Sequence, residues 1–391
     1  MTEVKALQEQ FVELYGGDSS NPIRAFHAPG RVNLIGEHTD YNGGYVFPAA
    51  LTFGTTMLIR KREDDQVGFA STNFPLRKHI SIQQVEFRAE DDWINYPKGI
   101  IRELQKRGLS VGGYDILYSG AIPNGSGLSS SASIEVVTAY GLLTMEGQPT
   151  DKVEIALLSQ KAENEFIGVQ CGIMDQFAVA MGKKEHAILL MCDTLEYKHV
   201  PFVSGEYKLV IGNTNKKRGL VDSAYNERRS QCEQAVKHLA AEYPDLTLLG
   251  QLSLEQYRSA QHLIPDETVR KRAQHVVEEI DRVLQSIEVL ERGDLAAFGR
   301  LMIGSHNSLR DLYEVTGVEL DTMVEAALAV PGVLGSRMTG AGFGGCTVSL
   351  VHQDSVERFV GEVGRVYKEK TGLTADFYVC DIGNGVQEMQ L

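Results

Sequence analysis

The chain has 391 residues, of which 43% are hydrophobic, and it carries a formal net charge of −14. A chain of this length can bury a core in each of two domains. The acidic balance argues against a general nucleic-acid binder, because such proteins rely on clustered lysine and arginine. The sequence contains no run of about 18 apolar residues, so no membrane span is expected.

The N-terminal sequence and the cysteines both indicate a cytoplasmic protein. Residues 1–17 are acidic and amphipathic, without the apolar core of a signal peptide. The five cysteines are odd in number and no two form a C-x-x-C pair. We therefore expect reduced thiols, with neither a disulfide framework nor a structural zinc site.

The hydrophobic pattern predicts a mixed chain of helices and strands. The predicted helices cover residues 4–15, 95–107, 129–146, 151–166, 221–242, 267–292, 294–313, 319–329 and 354–370. The predicted strands cover residues 30–35, 45–60, 114–119, 186–192, 196–202, 207–212, 345–351 and 374–380. A β-rich half gives way to a helix-rich half near residues 196–210, which predicts two domains, 1–200 and 201–391.

The segment GEHTDYNGG, residues 36–44, lies between two predicted strands and holds Glu37, His38 and Asp40. The residues alone leave three interpretations open: a metal site, a plain turn, or contact with a polar ligand. Glu, His and Asp can bind divalent ions, but these three lack the spacing of a zinc helix. The closing Asn-Gly pair favours a hairpin turn, which does not account for Glu37 and His38.

A second segment, AIPNGSGLSSSASIEVV at residues 121–137, joins a predicted strand to a predicted helix. Its glycines let the backbone turn sharply and approach a ligand closely. Three serines, residues 129–131, then open the helix, whose unpaired N–H groups favour phosphate. A glycine turn before a serine-capped helix remains the alternative.

Other nucleotide-binding motifs are missing from the sequence. It contains no G-x-x-x-x-G-K-[ST] and no protein-kinase set of V-A-I-K, H-R-D and D-F-G. Residues 340–345, GAGFGG, match G-x-G-x-x-G, but the apolar strand CTVSLV follows where a dinucleotide site needs a helix. We expect a glycine-rich wall close to the serine loop instead.

Five segments in order resemble motifs of the GHMP small-molecule kinases, and of the galactokinases among them. They are APGRVNLIGEHTDYNGG (28–44), GSGLSSSAS (125–133), CGIMDQF (171–177), SAYNERRSQC (223–232) and MTGAGFGGC (338–346). The resemblance implies an α/β fold with an N-terminal domain like ribosomal protein S5 domain 2, a C-terminal ferredoxin-like domain, and an active site in the cleft between them. It implies phosphorylation of the anomeric hydroxyl of α-D-galactose by ATP, with Mg²⁺.

The resemblance also implies roles for individual residues. Asp175 would be the catalytic base and Arg31 its ion-pair partner, adding positive charge for the moving phosphoryl group. Ser131 and Glu163 would bind Mg²⁺. The implied sugar-binding residues are Glu37, His38, Thr39, Asp40, Gly172 and Tyr225. The implied ATP-binding residues are Ser71, Gly125, Ser126, Gly127, Leu128, Ser129, Ser130 and Ser131.

Simpler interpretations stay open beside these roles. Asp175 would then cap a helix, Glu163 would lie on a solvated helix face, and Tyr225 would be an interior helix residue. The basic cluster NTNKKRGL, residues 213–220, would be a solvated loop. For the whole protein, the alternatives are a kinase for a related sugar and a non-enzymatic galactose sensor. We expect a monomer, with weak homo-oligomerisation as the alternative, and no nucleic-acid or membrane partner.

Overall fold

The computed structural model describes residues 2–17, 20–123, 126–216 and 221–391. The helices in these ranges are α1 (Thr2–Tyr15), α2 (Asn95–Lys106), α3 (Ser130–Met145), α4 (Lys152–Ala162), α5 (Met174–Met181), α6 (Val221–Leu239), α7 (Leu254–Ala260), α8 (Glu267–Glu291), α9 (Leu295–Ser308), α10 (Gly317–Leu328) and α11 (Val356–Thr371). The strands are β1 (Arg24–Asn33), β2 (Tyr45–Val46), β3 (Pro48–Lys61), β4 (Gln66–Ser71), β5 (Lys78–Ser81), β6 (Tyr114–Gly120), β7 (His186–Met191), β8 (Tyr197–Pro201), β9 (Tyr207–Asn213), β10 (Val333–Thr339), β11 (Cys346–His352), β12 (Asp376–Cys380) and β13 (Gln387–Met389). None of the helices in the described ranges is both long and apolar enough to cross a bilayer.

A six-stranded sheet of order β13-β1-β3-β6-β4-β5 organises the first half of the chain. Its neighbouring strands are antiparallel except for β4 and β6, which are parallel. Because side chains alternate between the faces of a sheet, Phe26 and Met57 pack into the core beneath α2–α5, whereas Ala25 and Leu58 pack under α1. Both faces are therefore covered, and β6 leads directly into the serine loop and α3.

A four-stranded antiparallel sheet of order β10-β11-β9-β12 organises the second half. Helices α9, α10 and α11 pack against this sheet, while α6, α7 and α8 contribute to a separate helical core. The glycine-rich segment 340–345 forms the turn between β10 and β11. This turn approaches the serine loop, where Gly340 lies close to Gly127.

The two halves are connected at more than one point. A small sheet of order β2-β7-β8 lies beside the main sheets, and the last strand, β13, returns to pair with β1. The sheet membership changes between β8, which ends at Pro201, and β9, which begins at Tyr207. We keep the division into residues 1–200 and 201–391 as a proposal, with β13 crossing back to the first half.

Every helix predicted from the sequence occurs, with ends shifted by a few residues, and two of them continue into the π-helical turns Glu163–Ile167 and Leu309–Tyr313. The predicted first strand, residues 30–35, is shifted toward the C-terminus, because β1 begins at Arg24 and ends before Leu34. The pattern missed β4, β5, β10, β13, α5 and α7. These elements are short or contain glycine and polar residues, so they carry little hydrophobic periodicity.

Candidate active site

Two cavities lie near residues 126–131, which comprise the end of the loop after β6 and the first two residues of α3. Lining the acidic cavity are Arg31, Glu37, Asp40, Glu163, Asp175 and Tyr225, among others. Lining the aromatic cavity are Ser71, Phe74, Trp93, Tyr96, Tyr118 and Ser131, among others. Within the loop, Ser130 and Ser131 line the aromatic cavity, whereas Ser129 bonds to Asp175 in the acidic cavity. This short segment thus lines the aromatic cavity and bonds to a wall residue of the acidic cavity.

Asp175 is held at this junction by three hydrogen bonds. Arg31 Nε donates to Oδ1 at 2.7 Å and Nη2 donates to Oδ2 at 2.8 Å, which is a bidentate ion pair. The Ser129 hydroxyl donates to Oδ2 at 2.5 Å. Asp175 lies in the first turn of α5, but Ile173 occupies the N-cap position and no side chain caps the helix. The expected ion pair is confirmed, and the helix-capping alternative is wrong.

The serine loop is shaped around Arg31. Gly127 and Ser129 both have left-handed backbones, with φ of 78° and 63°, a region that favours glycine. Ser129 holds the N-cap position of α3 without a side-chain capping bond, so the serine-capped alternative is also wrong. Arg31 Nη1 donates to the Gly127 carbonyl at 2.7 Å. The backbone N–H of Arg31 donates to the Leu128 carbonyl at 3.2 Å. The opening N–H groups of α3 have no intrahelical partners and can meet an anion.

The glycine-rich turn packs closely on this loop. A Cβ at Gly340, whose φ is 89°, would lie 3.2 Å from the Gly127 carbonyl oxygen. The expected glycine-rich wall beside the serine loop is therefore confirmed. Ser126 is buried, and its hydroxyl has no hydrogen-bond partner among the described residues. Gly125, which was also predicted to bind ATP, lies outside the described residues, as do residues 217–220 of the basic cluster.

Glu37 is fixed by groups from the second half of the chain. The Gly340 N–H donates to Oε1 at 2.7 Å, and Arg337 Nη1 lies 3.4 Å from the same oxygen. Arg337 is fully buried and also donates to the Asn33 carbonyl at 2.8 Å. His275 Nε2 donates to the Glu37 carbonyl at 3.1 Å. With Oε1 occupied, Oε2 is the oxygen that Glu37 can offer to a ligand in the acidic cavity.

Glu279 of α8 holds the backbone of the same loop. Its Oε1 accepts from the Gly36 N–H at 2.9 Å and from the Ser305 hydroxyl at 2.5 Å, and its Oε2 accepts from Arg282 Nε at 2.7 Å. Burial alone would raise the pKa of Glu279, but positive charge, first that of Arg282, lowers it to about 2. The carboxylate is therefore ionised and anchors the loop to the second half.

Asp40 lies directly against Gly172. A Cβ at Gly172 would come within 2.0 Å of Asp40 Oδ2, so this approach requires a glycine. Burial, followed by the negative charge of Asp175, raises the pKa of Asp40 to about 7. The acidic cavity therefore gathers carboxylates that a ligand rich in hydrogen-bond donors would stabilise.

His38 ends a hydrogen-bond chain of defined direction. Its Nε2 lies 3.2 Å from the Ala341 carbonyl, which can only accept, so we assign the proton to Nε2. Nδ1 then accepts from the Tyr41 hydroxyl at 2.8 Å, and Tyr41 accepts from Tyr313 at 2.7 Å. Burial lowers the pKa of His38 to about 3.

A neutral ring with both nitrogens bonded is unsuited to the metal interpretation of residues 36–44. In the part of the chain that the structure describes, no three His, Cys, Asp or Glu side chains form a group that could hold a metal ion.

Two other predicted sugar residues have different positions. Tyr225 of α6 lines the acidic cavity, with its ring 5.8 Å from that of His38, so it is not simply an interior helix residue. Thr39 is fully buried, and its hydroxyl donates to the Gly36 and Tyr45 carbonyls at 2.9 and 2.7 Å. The structure places the Thr39 side chain in the support of the loop, not on the cavity wall.

Glu163 is buried in the π-helical turn after α4, so the solvated-face alternative is wrong. Its Oε2 accepts from Gln176 Nε2 at 2.7 Å, and the side chains of Ser131 and Glu135 lie close enough to influence its pKa. Burial, then the charge of Asp175, raises the pKa of Glu163 to about 7, and burial raises the pKa of Glu135 well above its usual range. A hydroxyl beside a carboxylate with too little nearby positive charge suits a hard cation such as Mg²⁺.

The aromatic cavity presents flat apolar surfaces beside a few polar groups. The Trp93 ring stacks on Phe74 at 6.3 Å and 22°, and it meets Tyr118 edge-on at 5.8 Å. Ser71 is buried at the wall, where its hydroxyl accepts from the Asn73 N–H at 3.0 Å. Such a cavity suits a planar heterocycle joined to a polar chain that reaches the serine loop.

Sequence reasoning missed several residues that shape the two cavities. They are Tyr41, Phe74, Trp93, Tyr96, Glu279, Tyr313 and Arg337. Arg337 carried a usable signal, because an arginine among the apolar residues preceding a glycine-rich turn needs a buried partner. The aromatic residues carried no such sequence signal, because only the fold distinguishes an aromatic residue on a cavity wall from one in the core.

Comparison with known proteins gives the class and then the family. Residues 95–183 match the GHMP kinases N terminal domain and residues 286–369 match the GHMP kinases C terminal domain. The fold is thus that of a GHMP kinase. Residues 9–61 match the galactokinase galactose-binding signature, and the chain is 51% identical to a galactokinase of Clostridium tetani over 99% of this chain and 98% of that protein. The chain belongs to the galactokinase family.

Solved structures agree with this assignment. The galactokinase of Lactococcus lactis, solved in complex with galactose, has a TM-score of 0.95 and 46% identity, covering 99% of this chain and 100% of its own. The mevalonate kinase of Methanococcus jannaschii has a TM-score of 0.64 and 18% identity, covering 94% of this chain and 100% of its own. At that identity the second likeness shows the fold alone.

Proposed function

We propose that this chain transfers the γ-phosphoryl group of ATP to the anomeric hydroxyl of α-D-galactose, giving galactose 1-phosphate and ADP. The observation that carries the proposal is the position of Asp175, which lines the acidic cavity and bonds to the loop bordering the aromatic cavity. Phosphoryl transfer depends on an aligned hydroxyl and neutralised phosphate charge. Membership of the galactokinase family supports the substrates, and the two adjoining cavities support the alignment.

Asp175 has the capacity to receive the sugar hydroxyl. A carboxylate offers about four acceptor positions, two on each oxygen. Arg31 and Ser129 occupy one position on Oδ1 and two on Oδ2. The remaining position on Oδ1 accepts the anomeric O–H, whose proton moves to Asp175 as the oxygen bonds to the γ-phosphorus. The bond from that phosphorus to the β–γ bridging oxygen breaks, and ADP leaves.

The acidic cavity recognises the other sugar hydroxyls. Glu37 Oε2 and the Asp40 carboxylate accept hydrogen bonds from hydroxyl donors, while Tyr225 adds a phenol to the wall. His38 contributes its ring to the wall, because Nδ1 already accepts from Tyr41 and Nε2 donates to the Ala341 carbonyl. A site with fixed donors and acceptors rejects a sugar in which one hydroxyl is inverted, since buried polar groups would be left unpaired.

The serine loop and the aromatic cavity together accommodate ATP. The triphosphate would lie along Gly127–Ser131 at the start of α3, where the N–H groups and the helix dipole favour anions. The base would lie in the aromatic cavity beside Trp93, with Ser71 on the same wall. Arg31 is buried and reaches both Asp175 and the Gly127 carbonyl, so its charge lies where the phosphoryl group would pass.

Mg²⁺ fits the residues between the cavities. The Ser131 hydroxyl and the Glu163 carboxylate would be oxygen ligands. Nearby, the buried Oε1 atoms of Glu135 and Gln176 have no hydrogen-bond partner among the described residues. Mg²⁺ prefers a few protein oxygens together with water and phosphate. When bound, it would neutralise charge on the β- and γ-phosphates.

The activity is tested by measuring ADP release with four acceptors: galactose, glucose, N-acetylgalactosamine and mevalonate. We expect kcat/KM for galactose to exceed that for glucose by at least 100-fold, because one inverted hydroxyl leaves buried groups unpaired. A higher kcat/KM for another acceptor would support the related-sugar alternative. Binding of galactose and ATP without ADP release would support the sensor alternative. The complete set of Arg31, Ser129 and Asp175 contacts favours the enzyme.

The stabilisation that Mg²⁺ adds to the ADP complex should depend on pH. The pKa of Glu163 is raised to about 7, so the proton stabilises the fold at low pH and this contribution is lost as pH rises through 7. Mg²⁺ requires the ionised carboxylate, so it binds better above pH 7. We expect Mg²⁺ to raise the Tm of the ADP complex by about 2 °C more at pH 8.5 than at pH 6.0.

Differential scanning calorimetry with ADP, with and without Mg²⁺, measures this difference. Glu163→Gln should reduce it because the amide does not titrate, whereas Glu165→Gln should preserve it, since Glu165 is half exposed and bonds to lysines. An equal pH dependence in wild type and Glu163→Gln would show that Glu163 does not bind the ion.

A further inference from the structure

One short segment supplies three residues of the aromatic cavity wall. Asp92, Trp93 and Tyr96 come from the 3₁₀ turn Ala89–Ile94 and the first turn of α2. The backbone of Asp92 is unusual, with φ of 44° and ψ of −123°, a conformation that non-glycine residues rarely adopt. Such a conformation persists only where surrounding contacts impose it, and it is common at functional sites.

A buried ionic cluster lies directly beside that backbone. Asp91 is 1% exposed; its Oδ1 accepts from Lys78, and its Oδ2 accepts from Lys98 Nζ at 2.5 Å. Lys98 is itself 1% exposed and also donates to Asn95 Oδ1 at 3.2 Å. Burial alone would raise the pKa of Asp91, but the two ammonium groups lower it below the usual range. The cluster therefore combines a buried carboxylate with two cations.

Asn95 extends the cluster to the backbone of the turn. Its Oδ1 accepts from the Arg88 N–H at 3.2 Å, and its Nδ2 donates to the Arg88 and Asp92 carbonyls at 2.7 and 3.2 Å. Lys98 is thus joined to Asp91 directly, and through Asn95 to the backbone of Arg88 and Asp92. These contacts fix the direction in which Trp93 and Tyr96 enter the cavity.

We propose that Asp91, Lys98 and Lys78 are positioning residues for nucleotide binding: by fixing the turn 88–95 they hold Trp93 and Tyr96 in the wall that receives the base. The proposal rests on the assignment of the aromatic cavity to ATP. The cluster touches neither cavity, since none of its three residues lines the walls. Its effect on ATP is therefore indirect.

The competing explanation is a structural staple that only stabilises the first domain. The two explanations differ in whether KM for ATP changes selectively. A positioning cluster affects KM for ATP while leaving KM for galactose and kcat at saturation nearly unchanged, because the acidic cavity and Asp175 are built from other segments. A structural staple lowers Tm without a selective effect on ATP.

The chain offers a matched control and a built-in probe. Arg60 and Asp115 form another buried ion pair of the same domain at 2.8 Å, at the opposite end of β6 from Tyr118. Arg60→Met breaks a pair of similar burial away from the cavity. The probe is Trp93, the only tryptophan in the chain, whose fluorescence reports the cavity wall directly.

The test combines steady-state kinetics with ATP and ADP titrations of Trp93 emission. We expect Lys98→Met to raise KM for ATP at least tenfold, to shift Trp93 emission to the red and to weaken nucleotide binding in parallel. KM for galactose and kcat should change less than twofold. Lys98→Arg should restore most of the affinity, and Arg60→Met should leave KM for ATP within twofold.

Each failure has a distinct meaning. An unchanged KM for ATP in Lys98→Met, or an equal rise in Arg60→Met, would overturn the positioning role. If Lys98→Met does not fold, the milder Asp91→Asn decides by the same criteria. If ATP and ADP leave wild-type Trp93 emission unchanged while galactose is still phosphorylated, the base binds elsewhere. That result would overturn both the assignment of the aromatic cavity to ATP and the positioning role. If galactose is not phosphorylated but Trp93 responds to ATP, only the proposed activity fails.

Discussion

Asp175→Asn should lower kcat for galactose phosphorylation by about 10³-fold, since general-base catalysis contributes roughly 10²–10⁴-fold. The amide keeps the size of the side chain and can still accept one bond from Arg31, but it cannot take the hydroxyl proton. Galactose affinity should remain within a few-fold of wild type, because Glu37, Asp40 and Tyr225 are untouched. Steady-state ADP release and calorimetric titration with galactose measure the two quantities separately.

A second variant separates proton transfer from electrostatics. Ser129→Ala removes one of the three hydrogen bonds to Asp175 without changing its charge. We expect a loss in kcat of about tenfold, in line with one hydrogen bond to a charged group worth about 1.5 kcal/mol. If Asp175→Asn kept more than a tenth of wild-type kcat, Asp175 would not be the base, and the hydroxyl would need only to be oriented.

Glu37→Ala should weaken galactose binding by about 150-fold, equivalent to about 3 kcal/mol, while ATP affinity stays near wild type. The change removes the proposed acceptor for sugar hydroxyls, leaves the Gly340 N–H without its acceptor, and takes the Glu37 oxygen away from the buried Arg337 guanidinium. Glu37→Gln keeps an oxygen that can accept from the Gly340 N–H. Its loss of galactose affinity should therefore be about tenfold smaller than that of Glu37→Ala. Isothermal titration with galactose, and with ADP through Trp93 emission, gives the two affinities.

Glu388→Ala provides the matched control for this pair of variants. Glu388 is a partly exposed carboxylate of β13, in the same sheet as β1, that pairs with Arg24 at 2.7 Å and lines neither cavity. Its removal should change galactose affinity by less than twofold. A greater loss of ATP affinity than of galactose affinity in Glu37→Ala would contradict the assignment of the acidic cavity to the sugar.

The sequence motifs predicted the polar residues of the site far better than its framework. Arg31 and Asp175 are 144 residues apart in the chain, yet the motifs led to the expectation of the ion pair that the structure contains. The motif residues have chemical types that few other positions require, so they could be recognised without knowing the fold. Their individual roles in catalysis and binding stay predictions.

Three features could not be inferred because they depend on long-range packing. Trp93 and Phe74 become neighbours only when the turn 88–95 docks on β4 and β6. Glu163 has the charged neighbours of a solvated helix in sequence, but the π-helical turn directs it inward. Thr39 sits inside the most informative motif, yet its hydroxyl bonds to the loop backbone. A motif therefore identifies a site but does not separate ligand contacts from supports.

The central claim is that one carboxylate, Asp175, connects a sugar cavity to a nucleotide cavity across the serine loop. The most direct measurement is a crystal structure with galactose and a non-hydrolysable ATP analogue. We expect galactose in the acidic cavity with its anomeric oxygen within hydrogen-bond distance of Asp175, the base beside Trp93, and the triphosphate along residues 126–131. An anomeric oxygen beyond reach of Asp175, or a base outside the aromatic cavity, would contradict it.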